Sequence, residues 1–191
     1  MSKVFTIGEI LVEIMASKIG QPFDQPGIWN GPYPSGAPAI FIDQVTRLGV
    51  PCGIISCVGN DGFGDINIHR LAADGVDIRG ISVLPLEATG SAFVTYHNSG
   101  DRDFIFNIKN AACGKLSAQH VDENILKDCT HFHIMGSSLF SFHMVDAVKK
   151  AVTIVKANGG VISFDPNIHK EMLDIPEMRD ALHFVLELTD I

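Results

Sequence analysis

The chain has 191 residues, 46% hydrophobic and 19% charged, which is enough apolar material for one sizeable core and too little charge for long disorder. Fourteen basic against twenty-two acidic residues leave a net charge of −8, which disfavours nucleic acid or an anionic membrane as partner and points to a small ligand. Cys52, Cys57, Cys113 and Cys129 form no CxxC pair, so neither a zinc site nor a disulfide framework is indicated, and a reducing, cytoplasmic compartment fits.

Met1 to Met15 is interrupted by Glu9 and Glu13 and reads as neither a signal peptide nor a membrane span. Lys3 to Met15 reads instead as a strand ending near Glu13, whose carboxylate is either placed for ligand hydroxyls or a solvated strand end. Ser17 to Pro34, rich in Gly, Pro and Asn, reads as loops or short strands that form part of a cover. Pro34-Ser35-Gly36-Ala37-Pro38 then opens a helix running to Leu48-Gly49. Pro38 suits its first turn, Gly49 suits the residue past its end, and Phe41, Val45 and Leu48 give it an apolar face. Gly36 lets backbone approach a ligand, and the free N–H groups of the helix start favour a polar or anionic one.

Val50 to Gly59 is an apolar run of the kind buried on both sheet faces. Gly59-Asn60-Asp61-Gly62-Phe63-Gly64 turns into a helix ending near Ala73 and matches neither GxxxxGK[ST] nor GxGxxG. Val76 to Val83 suggests a further strand. From Gly90 the period becomes two: Ala92 to His97, a turn at Asn98 to Asp101, and Asp103 to Ile108 make a β-hairpin suited to a lid. Strand and helix alternate again through Thr130–Met135, Gly136-Ser137-Ser138, a helix from Phe142 to Asn158, and Val161–Phe164 leading to Asp165-Pro166-Asn167. This is a doubly wound α/β pattern, whose ligands sit at the strand C-terminal edge, where Glu13, Gly36, Gly136 and Asp165 fall. His131 and His133 point the same way on their strand; lacking a third ligand, they read as core or interface histidines. Glu177 to Glu187 reads as a helix and Leu188 to Ile191 as the start of another strand.

Gly8-Glu9-Ile10-Leu11-Val12-Glu13, Ser35-Gly36-Ala37-Pro38-Ala39 before a helix ending Arg47-Leu48-Gly49, Val58 to Gly64, Gly100-Asp101-Arg102 with Phe104, Phe106 and Ala111-Ala112, and Phe164-Asp165-Pro166-Asn167 occur in one order. In that order the chain resembles the ribokinase-like (PfkB-type) carbohydrate kinases. The resemblance implies a three-layer α/β/α fold with a mostly parallel sheet, residues 1–191 being the N-terminal portion of one domain with lid strands inserted at about 12–34 and 90–110. It implies transfer of the γ-phosphoryl group of ATP, with Mg2+, to a sugar hydroxyl. Glu13 takes the place of the acid that binds sugar hydroxyls, Gly36 and Ala37 lie in the sugar-contacting loop, and Phe104, Phe106 and Gly136 join the substrate side. Asp165 and Asn167 match the strand-end motif near phosphates and metal, without a direct metal ligand being assigned.

The pattern departs from the family at Ser35-Gly36, at Ile40 in place of an Asn, at His169 in place of an Arg, and at Ile108, where relatives acting on keto-deoxy sugar acids carry an Arg. The last change favours a neutral sugar, with a ketohexose preferred, over a sugar acid; a kinase for another substrate, such as a keto-deoxy sugar acid or a nucleoside, stays as an alternative. The family's Gly-Ala-Gly-Asp motif, which carries the catalytic base, is absent, so no catalytic residue is assigned and the base is expected beyond Ile191. The alternative is a non-catalytic sugar-binding or dimerising module. A homodimer through the lid is expected, with neither nucleic acid nor membrane as partner.

Overall fold

The computed structural model describes residues 2–167 and 176–191. The first apolar run is two strands in two different sheets: β1 (Val4–Ile7) and β2 (Leu11–Ala16). Gly8 divides them at a φ of +153°, and a Cβ there would run into Ser138 and Pro38, so the chain turns where only glycine fits. The single strand expected over Lys3 to Met15 is corrected accordingly.

β3 (Trp29–Ser35) pairs antiparallel with β2, so the end of the Ser17 to Pro34 stretch is a strand of a second sheet. Helix α1 spans Ala37–Arg47 with proline in its first turn. Its buried side is Pro38, Ala39 and Ile42, with Phe41 and Val45 packed beside them; Leu48, expected on that face, is 73% exposed just past the helix end.

β4 (Cys52–Gly59) is buried along its whole length. Its residues alternate between two cores. Cys52, Ile54 and Val58 pack with α1 and with α2 (Gly62–Asp74), whereas Ile55 and Cys57 face the opposite layer. Asp61 caps α2, accepting from the Gly64 N–H at 2.8 Å, and also accepts from the Thr89 N–H at 2.8 Å and its hydroxyl at 2.7 Å. Of the strand expected over Val76 to Val83, Asp77 makes one isolated bridge to Gly53, and β5 is Ile81–Leu84.

The hairpin is β6 (Gly90–Tyr96) and β7 (Arg102–Asn107), with Ala92 opposite Phe106 and Val94 opposite Phe104. Short helical turns at Ala112–Lys115 and Ala118–His120, then α3 (Glu123–Leu126), were not foreseen; each is too short to show a period. β8 (His131–Met135), α4 (Phe142–Ala157) and β9 (Val161–Asp165) follow, α4 burying Met144, Val148, Ala151 and Val155 under the sheet. α5 spans Pro176–Leu188 and adds Ala181 and Val185 to the same core. The strand expected from Leu188 is corrected: Leu188 closes α5, and the extended end bonds β9 irregularly, through Asp190 N–H to the Ile162 carbonyl at 2.9 Å and Phe164 N–H to the Ile191 carbonyl at 3.2 Å.

The five-stranded sheet has the order β5-β4-β1-β8-β9 and is parallel throughout, with α1 and α2 on one face and α4 and α5 on the other. The second sheet has the order β3-β2-β6-β7 and is mixed. Residues 8–10 join the two sheets.

Candidate functional site

The seam between the sheets holds a cavity of about 100 Å³, on whose walls Glu13, Gly36, Ala37, Phe104, Phe106 and Asn167 come together. The period of two explains the sheet side. Leu11 and Glu13 of β2, Ala92 of β6 and Phe104 and Phe106 of β7 lie on one face by register, and Leu11 faces Ser35 across β3. Half-buried Glu13 accepts a hydrogen bond from the Ser35 hydroxyl at 3.2 Å. The rings of Phe104 and Phe106 stack 5.1 Å apart at 8°, giving the cavity an apolar aromatic surface on the same sheet face as this carboxylate.

Gly36 precedes α1 with a φ of +110°, and a Cβ there would stand 2.5 Å from the Glu9 carbonyl oxygen. Ile108, just past the end of β7 and buried, also lines the cavity, so the position tied to sugar-acid recognition presents an alkyl group to it.

Glu9 also lines the cavity; in the sequence it breaks the apolar N-terminus and belongs to the Gly8-Glu9-Ile10-Leu11-Val12-Glu13 motif, with no site role of its own. Its side chain is buried, with Oε1 accepting from the Ser137 hydroxyl at 3.1 Å and Oε2 from the Ser138 hydroxyl at 2.5 Å. Burial pushes its carboxyl up, against the hydroxyls of Ser138 and Ser137 and the Ala37 backbone N–H, which favour the ionised form. The available signal was an acid beside a glycine inside an apolar run, since a buried acid needs donors brought from elsewhere in the chain.

Three other positions lie apart from the cavity walls. Gly136 opens the turn after β8, and a Cβ there would run into the Pro166 carbonyl, so it lets the β8 and β9 ends close on each other while its neighbour Ser137 reaches the cavity. Asp165 is exposed at the end of β9 and accepts from the Asn167 N–H at 3.0 Å; Asn167, at φ 39°, carries that motif to the cavity rim. Ile40 is 57% exposed and lines a different cavity, between β3, α1 and α2. His169 lies outside the described residues. His131 Nε2 and His133 Nδ1 share the Ser163 hydroxyl at 2.8 Å each, and Phe41 stacks on His133 at 4.0 Å, which ties both rings into the β8–β9 face. Burial lowers the affinity of His133 for a proton, partly opposed by Asp165.

A larger cavity of about 600 Å³ adjoins the first at Phe106 and Ile108. Its Ser91 and Asn107 lie on the opposite face of the hairpin from Ala92 and Phe106, and its carboxylate, Asp61, is committed to Gly64 and Thr89. The smaller cavity therefore has the better chemistry for a polyhydroxylated ligand: a carboxylate aimed inward, an aromatic wall, and backbone close to the ligand at Gly36.

Residues 1–191 match the sequence model of the pfkB family carbohydrate kinases. The chain belongs to this family. It is 29% identical over 189 residues to the fructokinase of Klebsiella pneumoniae, covering 98% of this chain and 58% of that relative. An E. coli crystal structure described as a "putative Ribokinase II (Apo Form)" superposes with a TM-score of 0.95 at 99% identity, covering 100% of this chain and 61% of that one. A second, described as a complex with ATP and Mg2+, gives 0.93 at 97% identity and the same coverage. The chain thus spans less than two thirds of the length of these relatives, and its fold is ribokinase-like.

Proposed function

We propose that these residues form the sugar side and the lid of a kinase that moves the γ-phosphoryl group of ATP to a hydroxyl of a small neutral sugar, most simply a ketohexose. The observation that carries this reading is the convergence of Glu13, Gly36, Ala37, Phe104, Phe106 and Asn167, chosen from sequence, on one cavity between the two sheets. In this reading Glu13 accepts hydrogen bonds from sugar hydroxyls, the Phe104–Phe106 stack covers the apolar ring face, and Gly36 lets the backbone meet the sugar. Ile108 supports a neutral sugar, because an alkyl side chain offers nothing to a substrate carboxylate. The fructokinase relative supports the ketose.

Magnesium bound with a nucleotide uses one or two carboxylates, its other ligands being phosphate oxygens and water, and supplies charge neutralisation for the moving phosphoryl group. Among the described residues, Asp165 and Asn167 are suited to that end of the site, and no group of three or more His, Cys, Asp or Glu gathers there. The ATP- and Mg2+-bound E. coli structure supports this assignment of cofactors. Four-stranded sheets of two copies pairing face to face complete the proposal, with half-exposed Ile105 on the outer surface as the contact. No helix among the described residues is long and apolar enough to cross a membrane.

A phosphotransfer assay with Mg-ATP and a sugar panel, run beside calorimetric binding of the same sugars, tests the reading. Binding of a ketohexose by this chain, with turnover by a full-length relative and loss of both in the corresponding Glu13→Ala variants, is the expected result. Sugar binding without turnover in any length of the protein would favour a non-catalytic binding module, and no binding at all would overturn the site.

A further inference from the structure

We infer that the substrate carries a second, neutral ring beyond the sugar that is phosphorylated, and that this ring occupies the larger cavity, so that the acceptor is a disaccharide or other glycoside rather than a free monosaccharide. The inference rests on the reading of the smaller cavity as a sugar site. Small-molecule sites usually hold about 300–1,000 Å³. The smaller cavity, at about 100 Å³, falls below that range, and the larger, at about 600 Å³, falls inside it. The two share Phe106 and Ile108 as walls, so a ligand seated against Glu13 can continue past them. Both shared walls are apolar, Phe106 half-buried on β7 and Ile108 buried just past its end. An alkyl group at this boundary has no charge to hold the end of a short substrate, and none to be desolvated when a longer one passes.

Beyond that boundary the larger cavity has the donors, acceptors and aromatic surface that a hydroxylated ring requires. Ser91 and Asn107 are partners in the β6–β7 register, and the Asn107 amide donates to the Ser91 hydroxyl at 3.3 Å. That bond leaves the Asn107 carbonyl oxygen as an acceptor and the Ser91 O–H as a donor. Asn110 adds a second exposed amide, whose side chain bonds no other group among the described residues. Phe63, 37% exposed at the start of α2, offers a ring for the apolar face of a sugar to cover. Charge selects a neutral ligand. The walls carry one carboxylate, Asp61, and one ammonium, Lys109, so the cavity has no net charge with which to gather an anion or a cation. Asp61 is moreover occupied by the Gly64 N–H and by Thr89, which leaves the neutral amides and the Ser91 hydroxyl to recognise the ligand.

Calorimetry on the 191-residue chain compares D-fructose with disaccharides that join a second hexose to fructose through different oxygens: trehalulose, turanose, lactulose and isomaltulose. Two variants alter the larger cavity and leave the smaller one intact. Ala88→Trp fills it from an exposed position, and Phe63→Ala removes its aromatic wall should the first variant fail to fold. At least one disaccharide should bind about tenfold more tightly than D-fructose, and either variant should remove most of that gain while D-fructose affinity stays within about twofold of wild type. Binding of a disaccharide with D-fructose too weak to detect supports the inference equally, if Ala88→Trp abolishes it. D-fructose bound at least as tightly as every disaccharide would overturn the inference and leave the monosaccharide kinase standing. A disaccharide preference that survives both variants would also overturn it, since the second ring would then lie outside the larger cavity. If none of these sugars binds, the sugar reading of the smaller cavity fails, and the inference falls with it.

Discussion

The two sheets are built to different standards of burial. The five-stranded sheet is parallel, carries helices on both faces, and holds fully buried Phe5, Ile54, Ile55, Phe132 and Ile134. In the four-stranded sheet, β3 and β7 are largely exposed or half-buried, and one face turns its side chains to a cavity. Parallel strands covered on both sides have only packing to satisfy, whereas a mixed sheet with one open face can carry a carboxylate and paired aromatic rings at modest cost. The site lies along the seam, where a rigid sheet fixes one wall and a less buried one supplies the other.

The contrast breaks most visibly in the core. Phe132→Ala, at a fully buried ring of β8, should cost about 3–5 kcal/mol in urea denaturation, from lost burial plus the cavity left behind. A cost below about 1 kcal/mol would mean the parallel sheet is no tighter than its cover. Next in size is Glu13→Ala, which should lose roughly 1.5–3 kcal/mol of sugar affinity for each hydrogen bond to the carboxylate, with denaturation nearly unchanged because the residue is half-buried. Calorimetry with unaltered affinity would remove Glu13 from the site. Gly36→Ala should cost about 1–3 kcal/mol in stability, since φ is +110° and the new Cβ meets the Glu9 carbonyl; equal thermal melting of variant and wild type would show that the seam yields.

A pH series sharpens the comparison with two acids of opposite sign. The Glu9 carboxyl is pushed up by burial, so the folded protein holds that proton more tightly than the unfolded chain does. Its contribution to stability is present below the ordinary glutamate value and is lost as pH rises through the folded one. Burial also acts to raise Asp61, but hydrogen bonds from the Thr89 N–H and hydroxyl and the Gly64 N–H outweigh it and hold the carboxyl down, so its contribution is present above the ordinary aspartate value and is lost as pH falls through the folded one. Chemical denaturation across a pH series should therefore show Glu9→Gln gaining on wild type as pH rises above the ordinary glutamate value, and Asp61→Asn losing ground at lower pH, as pH rises from the folded Asp61 value toward the ordinary aspartate one. Parallel pH profiles for both variants would contradict the two environments. The smallest effect is expected at Ile105, 45% exposed on the outer face of β7, where alanine should change monomer stability by under about 1 kcal/mol. Light scattering of that variant tests the proposed pairing of covers: a dimer weakened by the substitution supports it, and a wild-type monomer at micromolar concentration counts against it.

The elements legible in the sequence were those with a period to read. β4 is a continuous apolar run because both its faces are covered, the hairpin alternates because one is not, and α4 repeats its apolar residues over four turns. Gly36 and the Phe104–Phe106 pair show in the sequence because a turn and an alternating hairpin mark them, whereas Glu13, read as a strand end, lies inside β2, and Asn167 is named only through the family resemblance. Their meeting on one cavity could not be read that way, since it depends on residues 8–10 leaving one sheet for the other. An apolar run such as Val4 to Val12 looks the same whether its halves share a sheet or not. Glu9 shows the limit most plainly: in sequence it is an acid interrupting a hydrophobic stretch, and only the tertiary structure brings the Ser137 and Ser138 hydroxyls to it. Sequence determines what each segment prefers within a few residues, through period and turn chemistry; which distant donors satisfy a buried carboxylate is decided by packing, because those partners are chosen by the fold as a whole.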